Sequence, residues 1–163
     1  MFSADTYTER RKKLSNNVSD GIILLLGNDE SPMNYFDNTF HFRQDSSFLY
    51  FFGLNFPQLA AIIDLDEGKE IVFGNDLTVE DIVWMGTQPT LLERGQAYGL
   101  SEVRPLSALE DYLKKTVSQG RKIHYLPPYR HENKIKLLNL LGIHPNVAAS
   151  KSSQRVCKAG LPQ

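Results

Sequence analysis

Apolar residues along this chain alternate between short continuous runs and helical stripes. Tyr7, Leu14 and Val18 fall at i, i+7 and i+11, which places them on one face of a first helix. Thr6 followed by Glu9 has the spacing of a capping box at its start. Arg10-Arg11-Lys12-Lys13 lies on the same helix and reads as a solvated face rather than a nucleic-acid patch. Ile22–Leu26 is an aliphatic run closed by Gly27-Asn28-Asp29, the pattern of a strand covered on both faces. Residues 28–41 are polar, contain Pro32 and read as a long loop. Phe48–Phe52, stopped by Gly53, is a second apolar run whose aromatic content predicts a strand. Ala60–Asp64 and Glu70–Phe73 flank Leu65-Asp66-Glu67-Gly68-Lys69, a turn of hairpin length. An antiparallel hairpin there makes the sheet mixed.

The second half continues the alternation. Thr78–Met85 and Leu91–Tyr98 predict short helices, the latter stopped by Gly99. Glu102–Pro105 has room for a brief strand. Ser107 with Glu110 spells another capping box, and Leu109, Tyr112, Leu113 and Val117 form one helical face ended by Gly120. Ile123–Leu126 predicts a strand stopped by Pro127-Pro128. His131–Leu141 predicts a helix with Ile135, Leu138 and Leu141 on one side, ended by Gly142. Periodicity stops after Ile143. The expected organisation is one α/β domain over residues 1–148, with helices packed on a mixed sheet. A polar linker or tail follows over residues 149–163.

Composition narrows the function classes. Hydrophobic content of 41% and charged content of 23% are those of an ordinary globular chain. The net charge of −1 argues against a dedicated nucleic-acid binder and against a polybasic membrane anchor. Cys157 is the single cysteine, so no intrachain disulfide can form. No apolar run has the length of a signal peptide core or a membrane helix, so a cytoplasmic location and no membrane partner are expected.

Most motifs that carry chemistry are missing. There is no Gly-x-Gly-x-x-Gly, P-loop or Gly-x-Ser-x-Gly. His131-Glu132 opens like a zinc-protease helix, but the residue four after His131 is Ile135. Asp64, Asp66, Glu67 and Glu70 surround the hairpin turn and read as its solvated rim. Asp76, Glu80 and Asp81 sit near a helix start, where the macrodipole favours negative charge. The unusual segment is residues 42–53, where Arg43 and Asp45 run directly into aromatic residues. One reading is an Arg43–Asp45 clamp fixing the entry to a strand. The other is a site wall or an interface, and residue chemistry alone favours the clamp.

Phe42, Arg43, Gln44, Asp45, Ser46, Phe48, Tyr50 and Gly53 match, position by position, the aromatic-Arg-Gln-Asp/Asn-Ser-x-Phe-x-Tyr-x-x-Gly motif of another group of proteins. By these residues the chain resembles the N-terminal domain of aminopeptidase P, of the creatinase-like "pita-bread" metallopeptidases. Arg10 and Arg11, the strand at Ile22–Leu26, the hairpin, Asp76-Leu77-Thr78, Trp84-Met85-Gly86 and Ala97–Leu100 fall in the family's order, so the resemblance covers roughly residues 5–145. It implies an RNase-H-like α/β layer and no catalytic or metal-ligating residue in this chain. Catalysis in the family belongs to a C-terminal domain, where two divalent metal ions, often manganese, are held by two Asp, one His and two Glu. The hydrolysed bond is the one before proline. The resemblance further implies that this domain serves homo-oligomer contacts and shapes access to the active site. Trp84 matches a family tryptophan that reaches toward a neighbouring subunit, with a half-buried packing residue as the alternative. Arg43 and Asp45 join it as interface or entrance candidates, while Phe42, Gln44, Ser46, Phe48, Tyr50 and Gly53 are read as structural. Lys151–Gln163 does not reproduce the family's linker. Two rival readings stay open: a protein-binding module of a non-enzymatic relative, and a stand-alone small-molecule domain with its site at Gly27–Asp29.

Overall fold

The computed structural model describes residues 2–35, 38–76 and 78–152. Helix α1 (Ala4–Asn16) leads into β1 (Ile22–Leu26), a small ribbon of β2 (Pro32–Tyr35) and β3 (Asn38–Thr39), and α2 (Ser46–Phe52). The hairpin β4 (Ala60–Asp64) and β5 (Lys69–Phe73) follows, then α3 (Val79–Met85), α4 (Leu91–Gln96) and β6 (Glu102–Arg104). Helix α5 (Ala108–Ser118), β7 (Ile123–Tyr125) and α6 (His131–Leu141) complete the order.

The main sheet runs β6-β5-β4-β1-β7. β1 is antiparallel to β4 and parallel to β7, and β5 is antiparallel to β4 and parallel to β6. The expected mixed sheet flanked by helices is therefore present. Strand periodicity divides the core in two. Ile23, Leu25, Ala61, Ile63 and Val72 pack with Leu14, Phe48, Phe51 and Phe52 on one side. Ile22, Leu24, Ala60, Ile62, Ile71 and Phe73 pack with Leu109, Leu113 and Leu137 on the other. Coverage on both faces is why β1 and β4 read as unbroken aliphatic runs.

Several local expectations need correction. Phe48–Phe52 is not a strand; it belongs to helix α2. Phe48, Phe51 and Phe52 are buried at helical spacing, and the Asp45 carboxylate accepts from the backbone N–H groups of Ser47 and Phe48, both at 2.9 Å. Gly53 then ends the helix in a left-handed conformation. Caps at both ends and the packing of three rings override the strand preference of aromatic residues. Residues 28–41 are not all loop, because β2 and β3 pair antiparallel within them.

The two expected capping boxes do not form. α1 starts at Ala4 with Ser3 at the N-cap, which places Thr6 inside the first turn. Ser107 sits at the N-cap of α5 but in a helical conformation with no side-chain cap bond. Glu110 instead pairs with Lys114 at 2.7 Å. A complete box forms at Thr90 and Glu93 on α4. Asp76 lies near α3 in sequence, yet it accepts from the Leu91 N–H at the start of α4.

Two helical faces are also rotated from expectation. In α5, Thr116 is buried beside Leu113 and Val117 is exposed, because the Thr116 hydroxyl donates to the Tyr112 carbonyl at 2.8 Å and needs no outside partner. In α6, Asn133 and Leu137 are buried while Ile135 and Leu138 are exposed. Asn133 lies beside Asn28, its Nδ2 directed at Asn28 Oδ1 at 3.4 Å.

The hairpin carboxylates do more than solvate the turn. Asp64 is 1% exposed. It accepts from the backbone N–H groups of Asp66 and Glu67, from the Tyr112 hydroxyl and from Arg121. Burial pushes its pKa up, but the bonds from Arg121, Tyr112 and the Glu67 N–H outweigh burial and hold the carboxyl below its ordinary range. A carboxyl depressed in the folded state stabilises above its unfolded pKa of about 3.9 and loses that contribution as pH falls through the folded value. Urea unfolding midpoints should therefore drop on acidification below about pH 4. Asp64→Asn should be less stable at pH 7 and should lose part of this acid dependence. Parallel acid profiles for the two proteins would contradict that role.

Candidate interface site

The segment matched to the family motif is built around one buried amide. Gln44 Oε1 accepts from the backbone N–H of Asn28 at 2.7 Å and of Asp45 at 2.9 Å. Its Nε2 donates to the Phe56 carbonyl at 2.9 Å and more weakly to that of Leu54. Asn28 Nδ2 donates to the Arg43 carbonyl at 3.0 Å, and Asn133 Nδ2 points to Asn28 Oδ1 at 3.4 Å. These bonds tie the loop after β1 to the entry of α2 and to α6. A hydrogen-bonded polar cluster of this kind fixes backbone geometry.

The Arg43–Asp45 clamp does not form. Asp45 spends its carboxylate on the α2 N-terminus, and Arg43 is exposed, engaging through its carbonyl. Removing the cap with Asp45→Ala should cost about 1–2 kcal/mol. Arg43→Ala should stay within about 0.5 kcal/mol of the parent. Chemical denaturation of both variants checks this; equal losses would restore the clamp. Of the remaining motif residues, Phe48 and Gly53 are buried, Phe42 and Tyr50 are half-buried and Ser46 is exposed.

Gly27–Asp29 is not an open ligand loop. Asn28 is buried in the Gln44 network, and Asp29 pairs with Lys136 at 2.8 Å. A cavity of about 210 Å³ lies nearby, lined by Leu24, Leu26, Tyr125, Pro127, Asn133 and Leu137. Among the described residues Asn133 Oδ1 is buried without a hydrogen-bond partner.

Sequence reasoning missed the two arginines of α1. Arg11 is not on a solvated face: it is fully buried. It donates to Glu70 at 2.7 Å, to the carbonyls of Phe51, Tyr98 and Gly99, and to the Thr8 hydroxyl. The signal was its position four residues after Tyr7 and three before Leu14, inside the apolar stripe. Arg10 lies over the ring of Tyr50, 4.0 Å from its centroid.

Trp84 is 84% exposed on α3, with Val79 and Val83 exposed beside it. The half-buried packing reading of Trp84 therefore does not apply. The motif and Trp84 sit on separate elements, α2 with its entry and α3.

Among the described residues no three His, Cys, Asp or Glu side chains stand close enough to hold a metal ion. No helix among the described residues is long and apolar enough to cross a membrane. Cys157 and most of the expected linker, residues 153–163, lie outside the described residues.

Comparison with known proteins gives a consistent assignment. The chain is 28% identical over 102 residues to a probable Xaa-Pro aminopeptidase of Metarhizium acridum, covering 63% of this chain and 20% of that protein. It is 28% identical over 105 residues to the human Xaa-Pro dipeptidase, covering 64% and 21%. The chain thus spans about a fifth of the length of these curated relatives. Among solved structures, aminopeptidase P of Escherichia coli in its low-pH form superposes with a TM-score of 0.71 at 18% identity, covering 87% of this chain and 33% of that one. Aminopeptidase PepP of Pseudomonas aeruginosa gives 0.72 at 20% identity, covering 93% and 35%. At these identities the superpositions speak for the fold. The family model described as "Aminopeptidase P, N-terminal domain" matches residues 7–125, which takes in α1 from Tyr7 onward, the Gln44-centred motif, the whole five-stranded sheet and Trp84. With sequence, motif and fold in agreement, this chain belongs to the aminopeptidase P N-terminal domain family.

Proposed function

We propose that this chain is the non-catalytic N-terminal domain of a Xaa-Pro aminopeptidase, acting in oligomer assembly and in shaping the entrance to an active site carried elsewhere in a longer polypeptide. The hydrolysis before proline, and the divalent metal ions that perform it, belong in this reading to a C-terminal catalytic domain. The observation that carries the reading is Trp84. A tryptophan exposed at 84%, flanked by exposed Val79 and Val83, leaves an apolar patch in water that contact with another surface would bury.

The test is light scattering of the parent enzyme with and without Trp84→Ala, together with hydrolysis rates on Xaa-Pro peptides of increasing length. The expected result is a lower oligomer mass or a broadened acceptance of long peptides. An unchanged mass with an unchanged length profile would remove Trp84 from both roles.

A further inference from the structure

A groove of about 810 Å³ opens between the start of α1 and the α2 segment. It is lined by Arg10, His41 and Arg43 and by Phe42, Leu49 and Tyr50, with the buried Tyr7 and Tyr98 at its floor. Among the described residues no Asp or Glu lines it, although acids outnumber bases 19 to 18 over the whole chain. Neither Arg10 nor Arg43 forms an ion pair among the described residues. Arg10 is nevertheless held in place. Its guanidinium lies 4.0 Å from the centroid of the Tyr50 ring, 4.6 Å from that of Phe2 and 5.4 Å from that of Tyr7. It also donates to the Tyr50 carbonyl at 3.0 Å. Rings and a carbonyl position this cation without cancelling its charge. Arg43 stands exposed above the backbone that Gln44 locks.

We propose that this groove binds an acidic peptide segment carrying aromatic or aliphatic side chains. Carboxylates would pair with Arg10 and Arg43, and the apolar side chain would rest against the exposed Leu49 and the half-buried Phe42 and Tyr50. A guanidinium already fixed before binding loses less conformational freedom on pairing, and guanidinium matches carboxylate geometry two bonds at a time. Nucleic acid fits less well. The chain has no basic excess, which a sequence-tolerant nucleic-acid groove would need.

The experiment is fluorescence anisotropy on the whole chain with three labelled probes: Asp-Glu-Phe-Asp-Glu-Phe, Lys-Lys-Phe-Lys-Lys-Phe and a short single-stranded RNA. Saturable binding of the acidic peptide alone is expected, weakening as salt rises. Arg43→Glu should weaken it about tenfold with Tm unchanged. If that variant is less stable, Arg43→Gln at unchanged Tm carries the comparison. Binding of the basic peptide as tightly as the acidic one, tighter binding of the RNA, no saturable binding, or indifference to the charge at position 43 would each overturn the proposal.

Discussion

Arg11→Ala should destabilise the domain by about 3–5 kcal/mol, the scale at which a small domain of marginal stability unfolds. Arg11 is fully buried on α1, and its side chain ties that helix to three other parts of the chain. It reaches the Phe51 carbonyl at the end of α2, the Tyr98 and Gly99 carbonyls after α4, and Glu70 on β5. Truncation leaves buried carbonyls without a donor and Glu70 without its partner, as well as a cavity. Arg11→Lys should recover little, because one ammonium cannot replace a planar fork that serves separated acceptors. Arg11→Met keeps most of the volume and separates packing from hydrogen bonding. Urea unfolding measures all three. A loss below about 1 kcal/mol for alanine would mean that the bonds seen around Arg11 contribute little net stability.

Gly53→Ala should cost about 3 kcal/mol, from left-handed strain and overpacking together. Gly53 ends α2 at φ +71°, and a Cβ there would lie 2.2 Å from the Tyr98 ring and 2.9 Å from the Tyr7 ring. Those two rings already meet edge to face, 5.1 Å between centroids. Neither can retreat without disturbing the core of α1 and α2. Gly142 supplies the control. It ends α6 at φ +66°, and a Cβ there would meet nothing within 4 Å, so Gly142→Ala should cost only about 1 kcal/mol. Comparing thermal unfolding of the two variants isolates the contact from the backbone strain. Equal losses would show that the tyrosines yield.

Much of the frame is legible in the sequence because burial on both faces leaves an unmistakable aliphatic run. β1 and the hairpin of β4 and β5 follow from such runs and their Gly stops, and the helix at His131–Leu141 follows from its apolar spacing and the stop at Gly142. α2 misleads because its residues carry two signals of opposite sense. Aromatic content favours a strand, while Asp45 before Ser46 and rings at positions 48, 51 and 52 favour a capped helix. The caps decide it. Faces of α5 and α6 mislead for a different reason: Thr116 and Asn133 enter the interior as hydrogen-bonded polar residues, and apolar counting cannot see them.

The candidate site is legible by kind rather than by role. The motif at residues 42–53 is visible as a string of residues, but its working parts are contacts distant in sequence. Gln44 meets Asn28 and Phe56, and Arg10 meets Tyr50 across a separation of 40 residues. Trp84 shows the reverse case. Its residue type is plain in the sequence, whereas its exposure depends on how α3 lies on the rest of the fold.

The most direct measurement is peptide hydrolysis. A Xaa-Pro peptide would be offered, with Mn²⁺, to the isolated 163-residue chain and to the proposed longer polypeptide that carries it. We expect the longer polypeptide to release the first amino acid and the isolated chain to release none. Release that scales with the amount of pure isolated chain, or a longer polypeptide that leaves the peptide intact, would contradict the assignment of this domain as the non-catalytic part of a Xaa-Pro aminopeptidase.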